Sequence, residues 1–292
     1  MAIWHTLQLL TSHPLTKKNQ LKAIARFFKW QITTKINPYP VIYSFTSKSK
    51  IIVAKGMTGA TGNLYLGLHE FADMAFLLHF LRKEDFFVDA GANVGSYTVL
   101  ASAHVGCQSI AVEPVPSTYN HLMNNVFINR MTAKVTALNI GLGKENATLK
   151  FTKTLDTVNH IATEGEVDTI DVPIKTVDEI VGLNVPALIK IDVEGYETEV
   201  LKGAIETLKN EKLKAIIIEL NGSGGRYGFD EKNIHNQFLQ LNFMPFIYNP
   251  FDRQLTKTEN FGSYNTIYIR DVDFVKGRLS TAEKLEILGQ FF

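Results

Sequence analysis

Four apolar runs in this chain each end in a carboxylate: "FFVD" at Asp89, "SIAVE" at Glu113, "ALIKID" at Asp192 and "KAIIIE" at Glu219. No other feature narrows the fold as much. Runs this short, rich in Val, Ile and Phe, read as buried strands. Between them lie helix-like stretches: "GSYTVLASAHVG" (95–106), which stops at a glycine; "PSTYNHLMNNVFIN" (116–129), with Ser117 as a candidate cap; and Thr198 onward to Lys209. "KVTALNIGLG" (134–143) adds another strand. Buried strands alternating with helices predict an α/β fold with a mostly parallel sheet covered on both faces. After "KAIIIEL" (214–220), a Gly loop and a helix over 230–241 are expected. The last strands, ending in "SYNTIYIRD" (263–271), have no helix between them and suit an antiparallel hairpin at the sheet edge. "NATLKFTK" and "TIDVPIKTVDEIV" predict an inserted hairpin or extra strands within 146–181.

The start of the chain reads differently. Residues 16–32 predict an amphipathic helix with Leu21, Ile24, Phe27 and Phe28 on one face and Lys18, Lys22 and Lys29 off it. Residues 41–56 predict two short strands around a polar turn, 56–67 a Gly-rich loop, and 68–83 a helix. Residues 1–69 hold nine Lys/Arg and no Asp or Glu, while the rest of the chain carries a net charge of −8. We therefore divide the chain into a basic N-terminal extension (1–67) and a main domain (68–292). A basic arm of this kind can meet an anionic partner or a membrane surface, dock on its own acidic body, or contact a second subunit. The acidic body repels a long polyanion, so no nucleic-acid partner is expected. The single Cys107 excludes an internal disulfide and a multi-cysteine zinc site, and reads as a small apolar residue. The first residues lack a basic n-region and a small-residue cleavage site, and the longest apolar run, near 74–81, is too short to cross a bilayer. A cytoplasmic setting is expected.

The turn after the first acid-tipped strand reads Asp89-x-Gly91-x-Asn93-x-Gly95. The dinucleotide fingerprint G-x-G-x-x-G fails here, because Asn93 stands where its second glycine belongs. A carboxylate ahead of the turn also repels a pyrophosphate. The loop instead suits a ligand with a cationic group and no phosphate, such as S-adenosylmethionine. Glycines at 91 and 95 allow close backbone approach. Glu113, 18 residues after Gly95, can accept hydrogen bonds from both ribose hydroxyls.

"FVDAGANVGSYT", "AVEPVPSTYNHLMNNVFIN" and "IKIDVEGYETEVLKGA" together resemble the FkbM family of S-adenosylmethionine-dependent methyltransferases, over residues 70–270 or so. The third motif is the most specific. The resemblance implies a Rossmann-like class I methyltransferase fold and methylation of hydroxyl oxygens, often on sugars or glycan parts of natural products. It also implies a cofactor loop of Asp89, Gly91, Ala92, Asn93, Gly95, Ser96, Tyr97 and Thr98, with Glu113 and Pro114 at the ribose. Gly141 and Leu142 then lie by the adenine, and Glu70 near the methionine end.

Methyl transfer to a hydroxyl needs alignment, exclusion of water and a proton acceptor. Asp192 and Glu194 lie at the end of the fourth strand, on one side of it if the strand persists that far. Three readings compete. One of them is the base or orients the acceptor; or both join Glu219 around a divalent cation such as Mg²⁺ or Ca²⁺; or Glu194 caps the next helix while Asp192 holds the cofactor's ammonium. Asn221, Arg226 and Tyr227 are candidate acceptor contacts in a loop that reads equally well as mobile and solvated. His160 with Asn159 is a candidate lid, "GMTGATGN" a lid, nest or turn, and Tyr248 and Arg253 are pocket or packing residues. His235 reads as a helix-face residue. The sequons at Asn146 and Asn221 read as accidental. The resulting expectation is an O-methyltransferase acting on a sugar or glycan-containing acceptor. Its rivals are a methyltransferase for another small-molecule or lipid hydroxyl or carboxylate, a dinucleotide-dependent oxidoreductase, and a non-enzymatic binding module.

Overall fold

Packing against the body, rather than sequence polarity alone, selects the inner face of the N-terminal helices. The computed structural model describes residues 2–155 and 158–292. Helices α1 (Ala2–Ser12) and α2 (Gln20–Ile36) are followed by the hairpin β1 (Val41–Ser44) and β2 (Lys50–Val53) and by α3 (Thr58–Leu66). The face of α2 that is buried holds Ala23, Phe27 and Trp30. The predicted face is wrong apart from Phe27 and the half-buried Ile24: Leu21 is 84% exposed and Phe28 50%. The body decides this, since Tyr65 meets the Phe27 ring edge-on at 5.3 Å and its carbonyl accepts Arg26 Nε at 3.0 Å. The predicted Gly-rich loop is largely α3, in which burial of Ala60, Leu64, Tyr65 and Leu66 outweighs the poor helix propensity of glycine.

The main sheet follows. Helix α4 (Phe71–Phe80) leads into β3 (Phe86–Ala90); α5 (Ser96–Val99) continues as a π-helical segment (Leu100–Val105) into β4 (Gln108–Val112). Then come α6 (Pro116–Ile128), β5 (Val135–Leu138), β6 (Gly141–Leu142), β7 (Ala147–Thr152), β8 (Thr169–Lys175), α7 (Val177–Val181) and β9 (Leu188–Ile191). The chain continues through α8 (Glu197–Lys202), α9 (Ile205–Lys209), β10 (Ala215–Glu219), a 3₁₀ turn (Ser223–Tyr227), α10 (Glu231–Gln240), β11 (Met244–Asn249), β12 (Gln254–Lys257), β13 (Asn265–Ile269) and α11 (Val272–Thr281). The eight strands run β12-β11-β13-β10-β9-β3-β4-β5. Strands β10, β9, β3, β4 and β5 are parallel, whereas β13 is antiparallel to β10. The predicted edge hairpin is β11–β12, but β13 returns to insert between β11 and β10.

Alternation sends Phe87 into the cluster on one face of the sheet, and Val88 and Ala90 into the cluster on the other. The first cluster is continuous with the N-terminal helices through Leu10, Leu15, Phe27 and Trp30. The insert pairs β7 with β8 antiparallel, adds β6 beside β8, and has its own small core of Phe151, Ile161, Val172 and Ile174. Ser117 caps nothing: α6 starts with Pro116, and Glu113 accepts the Val115 N–H instead. Among the described residues no helix is long and apolar enough to cross a membrane. Strand order reverses at β3, with β4 on one side and β9 on the other, and in open α/β sheets the crevice beyond such a point is where ligands bind.

Candidate active site

The turn after β3 is held both by its neighbours and by its own Gly95 N–H, which donates to the carbonyl of Ala92 at 2.8 Å. Gly91 and Ala92 both donate to the carbonyl of Val112, at 3.0 and 2.8 Å. Gly91 has φ +81°, and a Cβ there would lie 1.8 Å from the carbonyl oxygen of Asp192, so only glycine fits. Asn93, at φ +52°, donates its N–H to Glu113 Oε2 at 3.0 Å, while Glu113 Oε1 accepts from Val115 at 2.9 Å. Glu113 thus clamps two turns at once. Asp89 is buried and accepts both the N–H (3.0 Å) and the hydroxyl (2.6 Å) of Thr98 through Oδ2. Burial pushes its carboxyl up to about 6, with Thr98 opposing. Burial likewise pushes Glu113 up to about 7.

On the other side of the cavity, β9 stops at Ile191, and the chain turns through Glu194 (φ +55°) and Gly195 (φ +100°). Strand alternation therefore does not carry to Glu194; the turn brings it round instead. One oxygen from each of Asp192, Glu194 and Glu219 lies within 4.8 Å of the others. Burial, then the Asp192 charge, pushes Glu194 up to about 7. The same causes push Glu219 up to about 8. Glu194 does not cap α8. Glu197 holds that turn, its Oε1 accepting the N–H groups of Val193 and Gly195, both at 3.1 Å.

Sequence reasoning missed Lys190. It is buried, its Nζ lies 2.6 Å from Asp192 Oδ2, and it sits 4.9 Å above the Tyr97 ring. Burial alone would lower its pKa, but the carboxylates of Asp192, Glu70 and Asp89 more than offset this and raise it. Tyr97 in turn donates to Glu70 Oε2 at 2.7 Å, and Asn265 donates to Glu70 Oε1 at 2.8 Å. A polar residue in the middle of an otherwise apolar strand, two positions before an acid, was the available signal for Lys190. Nothing local could have pointed to Asn63, which comes from the supposed loop, donates to Ser96 Oγ at 3.0 Å and lines the cavity.

A cavity of about 340 Å³ gathers these groups. Its lining includes Glu70, Asp89, Gly91, Ala92, Asn93, Ser96, Tyr97, Glu113, Pro114, Gly141, Leu142, Asp192, Glu194, Glu219 and Asn221. Gly95 and Thr98 stand behind it: the first turns the chain against Leu122, and the second supports Asp89. Arg226 and Tyr227 are not in the lining. Arg226 donates to the carbonyl of Glu194 at 3.1 Å and Tyr227 to that of Ile161 at 2.7 Å, so the segment expected to be mobile ties the acid turn to the insert. Asn159 lines the cavity, whereas His160 is buried inside the insert, 3.1 Å from Glu166. Tyr248 and Arg253 belong to packing: Tyr248 is buried against His79 Nδ1 at 2.6 Å, and Arg253 donates to the carbonyls of Leu279, Ser280 and Ala282. His235 is buried on the inner face of α10, 2.8 Å from the Tyr268 hydroxyl.

Six of the lining side chains are carboxylic acids and only Lys190 is a lysine or arginine. Such a lining favours a cation and disfavours a phosphate.

Comparison with known proteins identifies the family. Residues 89–244, more than half of the chain, match the family model described as the methyltransferase FkbM domain. The chain is similar to the hexuronic acid methyltransferase AglP of Haloferax volcanii, at 30% identity over 210 residues that cover 69% of this chain and 74% of that protein. It is also similar to methyltransferase 1 of Beauveria bassiana, at 27% identity over 183 residues, covering 54% of this chain and 73% of the relative. Among solved structures, methyltransferase FkbM from Methylobacillus flagellatus KT is similar at 18% identity and a TM-score of 0.47, covering 74% of this chain and 56% of that one. The chain belongs to the FkbM family and is a methyltransferase.

Proposed function

We propose that the chain transfers a methyl group from S-adenosylmethionine to a hydroxyl of a sugar or glycan-containing acceptor. The observation that carries this reading is the division of one acidic cavity into two sides. A glycine turn clamped by Glu113 faces three convergent carboxylates at Asp192, Glu194 and Glu219. The donor's charge fits: its sulfonium and ammonium offset an acid-rich lining, and the turn at Gly91 leaves no side chain in the way. When bound, the donor supplies an activated methyl group and its own leaving group. Asp89, Gly91, Ala92, Asn93, Ser96 and Tyr97 hold it, with Glu113 and Pro114 at the ribose, Gly141 and Leu142 at the adenine, and Glu70 near the methionine end.

The acceptor lies on the side of the acids. Glu194 makes no ion pair among the described residues, and its raised pKa keeps it close to the working pH, so it takes the hydroxyl proton. Asp192 is held by Lys190 and orients the acceptor. Asn221, which lines the same cavity, is a contact for the acceptor in this reading. The similarity to a hexuronic acid methyltransferase supports a sugar acceptor. A second reading places a divalent cation among Asp192, Glu194 and Glu219, supported by their convergence within 4.8 Å.

The test is incubation with radiolabelled S-adenosylmethionine and cell-derived glycan, lipid and small-molecule fractions. Label is expected in a sugar-containing fraction and in base-stable ether linkage. Label confined to sugar-free fractions removes the acceptor assignment. Activity that survives exhaustive chelation removes the cation reading.

A further inference from the structure

The side of α2 that faces away from the body is exposed among the described residues. Ala23, Phe27 and Trp30 fix the inner side. Leu21, Ala25, Phe28, Ile32 and Ile36 fall on the opposite side, within an arc of about 80° at about 3.6 residues per turn. All five are exposed. Leu21 is 84% exposed, Ile36 79% and Ile32 58%. Apolar exposure continues beyond the helix at Tyr39 and Ile42. A surface helix needs one apolar stripe, toward its core. A second, contiguous stripe on the far side marks a surface that something covers.

The flanking charges say what. Lys22 and Lys29 border the stripe along one edge and Lys35 along the other, all three exposed. No Asp or Glu occurs anywhere in residues 1–69, so no acid on this arm is available to neutralise them. A second copy of the chain would bring the same lysines face to face, and like charges around an apolar patch oppose self-association. A nucleic acid would satisfy the lysines and leave the leucine and isoleucines in water. An anionic lipid surface satisfies both: the apolar stripe sinks to the acyl boundary and the lysines reach the headgroups.

We propose that α2 is an interfacial anchor that lies flat on an anionic phospholipid surface. At 17 residues and with four Lys/Arg it does not span a bilayer. The anchor is coupled to the cavity: α2 rests on α3 through Phe27 and Tyr65, and α3 contributes Thr58, Gly59 and Asn63 to the cavity lining. The anchor therefore reaches the cavity wall through α3.

The experiment is co-sedimentation of the full chain with vesicles of phosphatidylcholine alone and of phosphatidylcholine mixed with phosphatidylglycerol. Binding is expected on the mixed vesicles and should fall as salt rises. Leu21→Ser/Ile32→Ser should keep its thermal melting temperature, because both side chains are mostly exposed, and lose vesicle affinity by about tenfold or more. Lys22→Glu/Lys29→Glu should lose about fivefold per site on the anionic vesicles only. No binding to anionic vesicles, or equal binding by the serine variant, overturns the proposal. So does a wild-type dimer in sedimentation equilibrium that the serine variant breaks, without vesicle binding by either protein; the stripe would then belong to a second copy.

Discussion

Lys190 Nζ lies 2.6 Å from Asp192 Oδ2, with the lysine buried beneath the cavity and the aspartate at its wall. A buried pair of this kind is worth little against a matched apolar pair, yet removing one partner is costly because a charge is left alone. Lys190→Met should therefore lower stability by about 3 kcal/mol. Adding Asp192→Asn to that variant should recover part of the loss, since Glu70 and Asp89 still lack the ammonium. Urea denaturation of the three proteins measures both effects, and an unchanged midpoint in the single variant refutes this account of the pair.

Glu194 is raised to about 7, and in the role of base proposed for it the carboxyl must be ionised. Turnover should accordingly rise with pH and reach half its maximum at or below that value, because a bound cationic donor favours the carboxylate. Glu194→Gln should abolish this limb and cost about two orders of magnitude or more in kcat. A pH–rate profile that keeps its limb in the variant assigns the base elsewhere.

Stability of the ligand-free protein should move the opposite way. Burial, the largest cause at each, raises Asp73, Glu113, Glu194 and Glu197 to about 7 and Glu219 to about 8, above ordinary values of 3.8 for Asp and 4.5 for Glu. The folded chain thus binds more protons than the unfolded one between these limits. Their contribution is full below the ordinary values and is lost as pH rises through 7 to 8. The melting temperature should fall from pH 5.5 or so to about 8, and S-adenosylmethionine should restore part of the loss. A melting temperature that climbs over that window contradicts the assignment.

Glu197 is buried outside the cavity lining, yet it holds the turn that presents Glu194. Glu197→Leu leaves the Val193 and Gly195 N–H groups without their acceptor and should cost about 2 kcal/mol or more. Donor affinity should fall as well, through the contact of Gly91 with the Asp192 carbonyl, but less than kcat, which depends directly on the place of Glu194. Calorimetry together with steady-state rates separates the two effects; equal losses in both would mean that the turn does not act through Glu194.

The parts legible in the sequence were those governed by local pattern. Strands ending at Asp89, Glu113, Asp192 and Glu219 follow from short apolar runs, and their convergence follows from the parallel sheet they build. What escaped was decided across the fold. The α2 face depends on Tyr65, the helicity of 58–66 on burial of Leu64 and Leu66, and the place of β13 on pairing with β10 across an intervening hairpin. The Asp192–Glu194 pair was anticipated from period-two alternation, but a left-handed turn brings the two acids together. Arg226 and Tyr227 looked like ligands because a Gly-rich segment gives no sign of the carbonyls it will meet.

The close approach of Gly91 to the Asp192 carbonyl leaves no gap between the two turns, since even a methyl group at Gly91 would overlap that oxygen. Neither turn can move toward the other without displacing it. Whatever tightens the glycine turn also fixes the backbone from which Asp192 and Glu194 project, and the reverse holds equally. By reciprocity, donor and acceptor should raise each other's affinity by one and the same factor, whichever binds first. Ordered binding would then be a matter of rates and access, with no separate hinge required to make one site aware of the other.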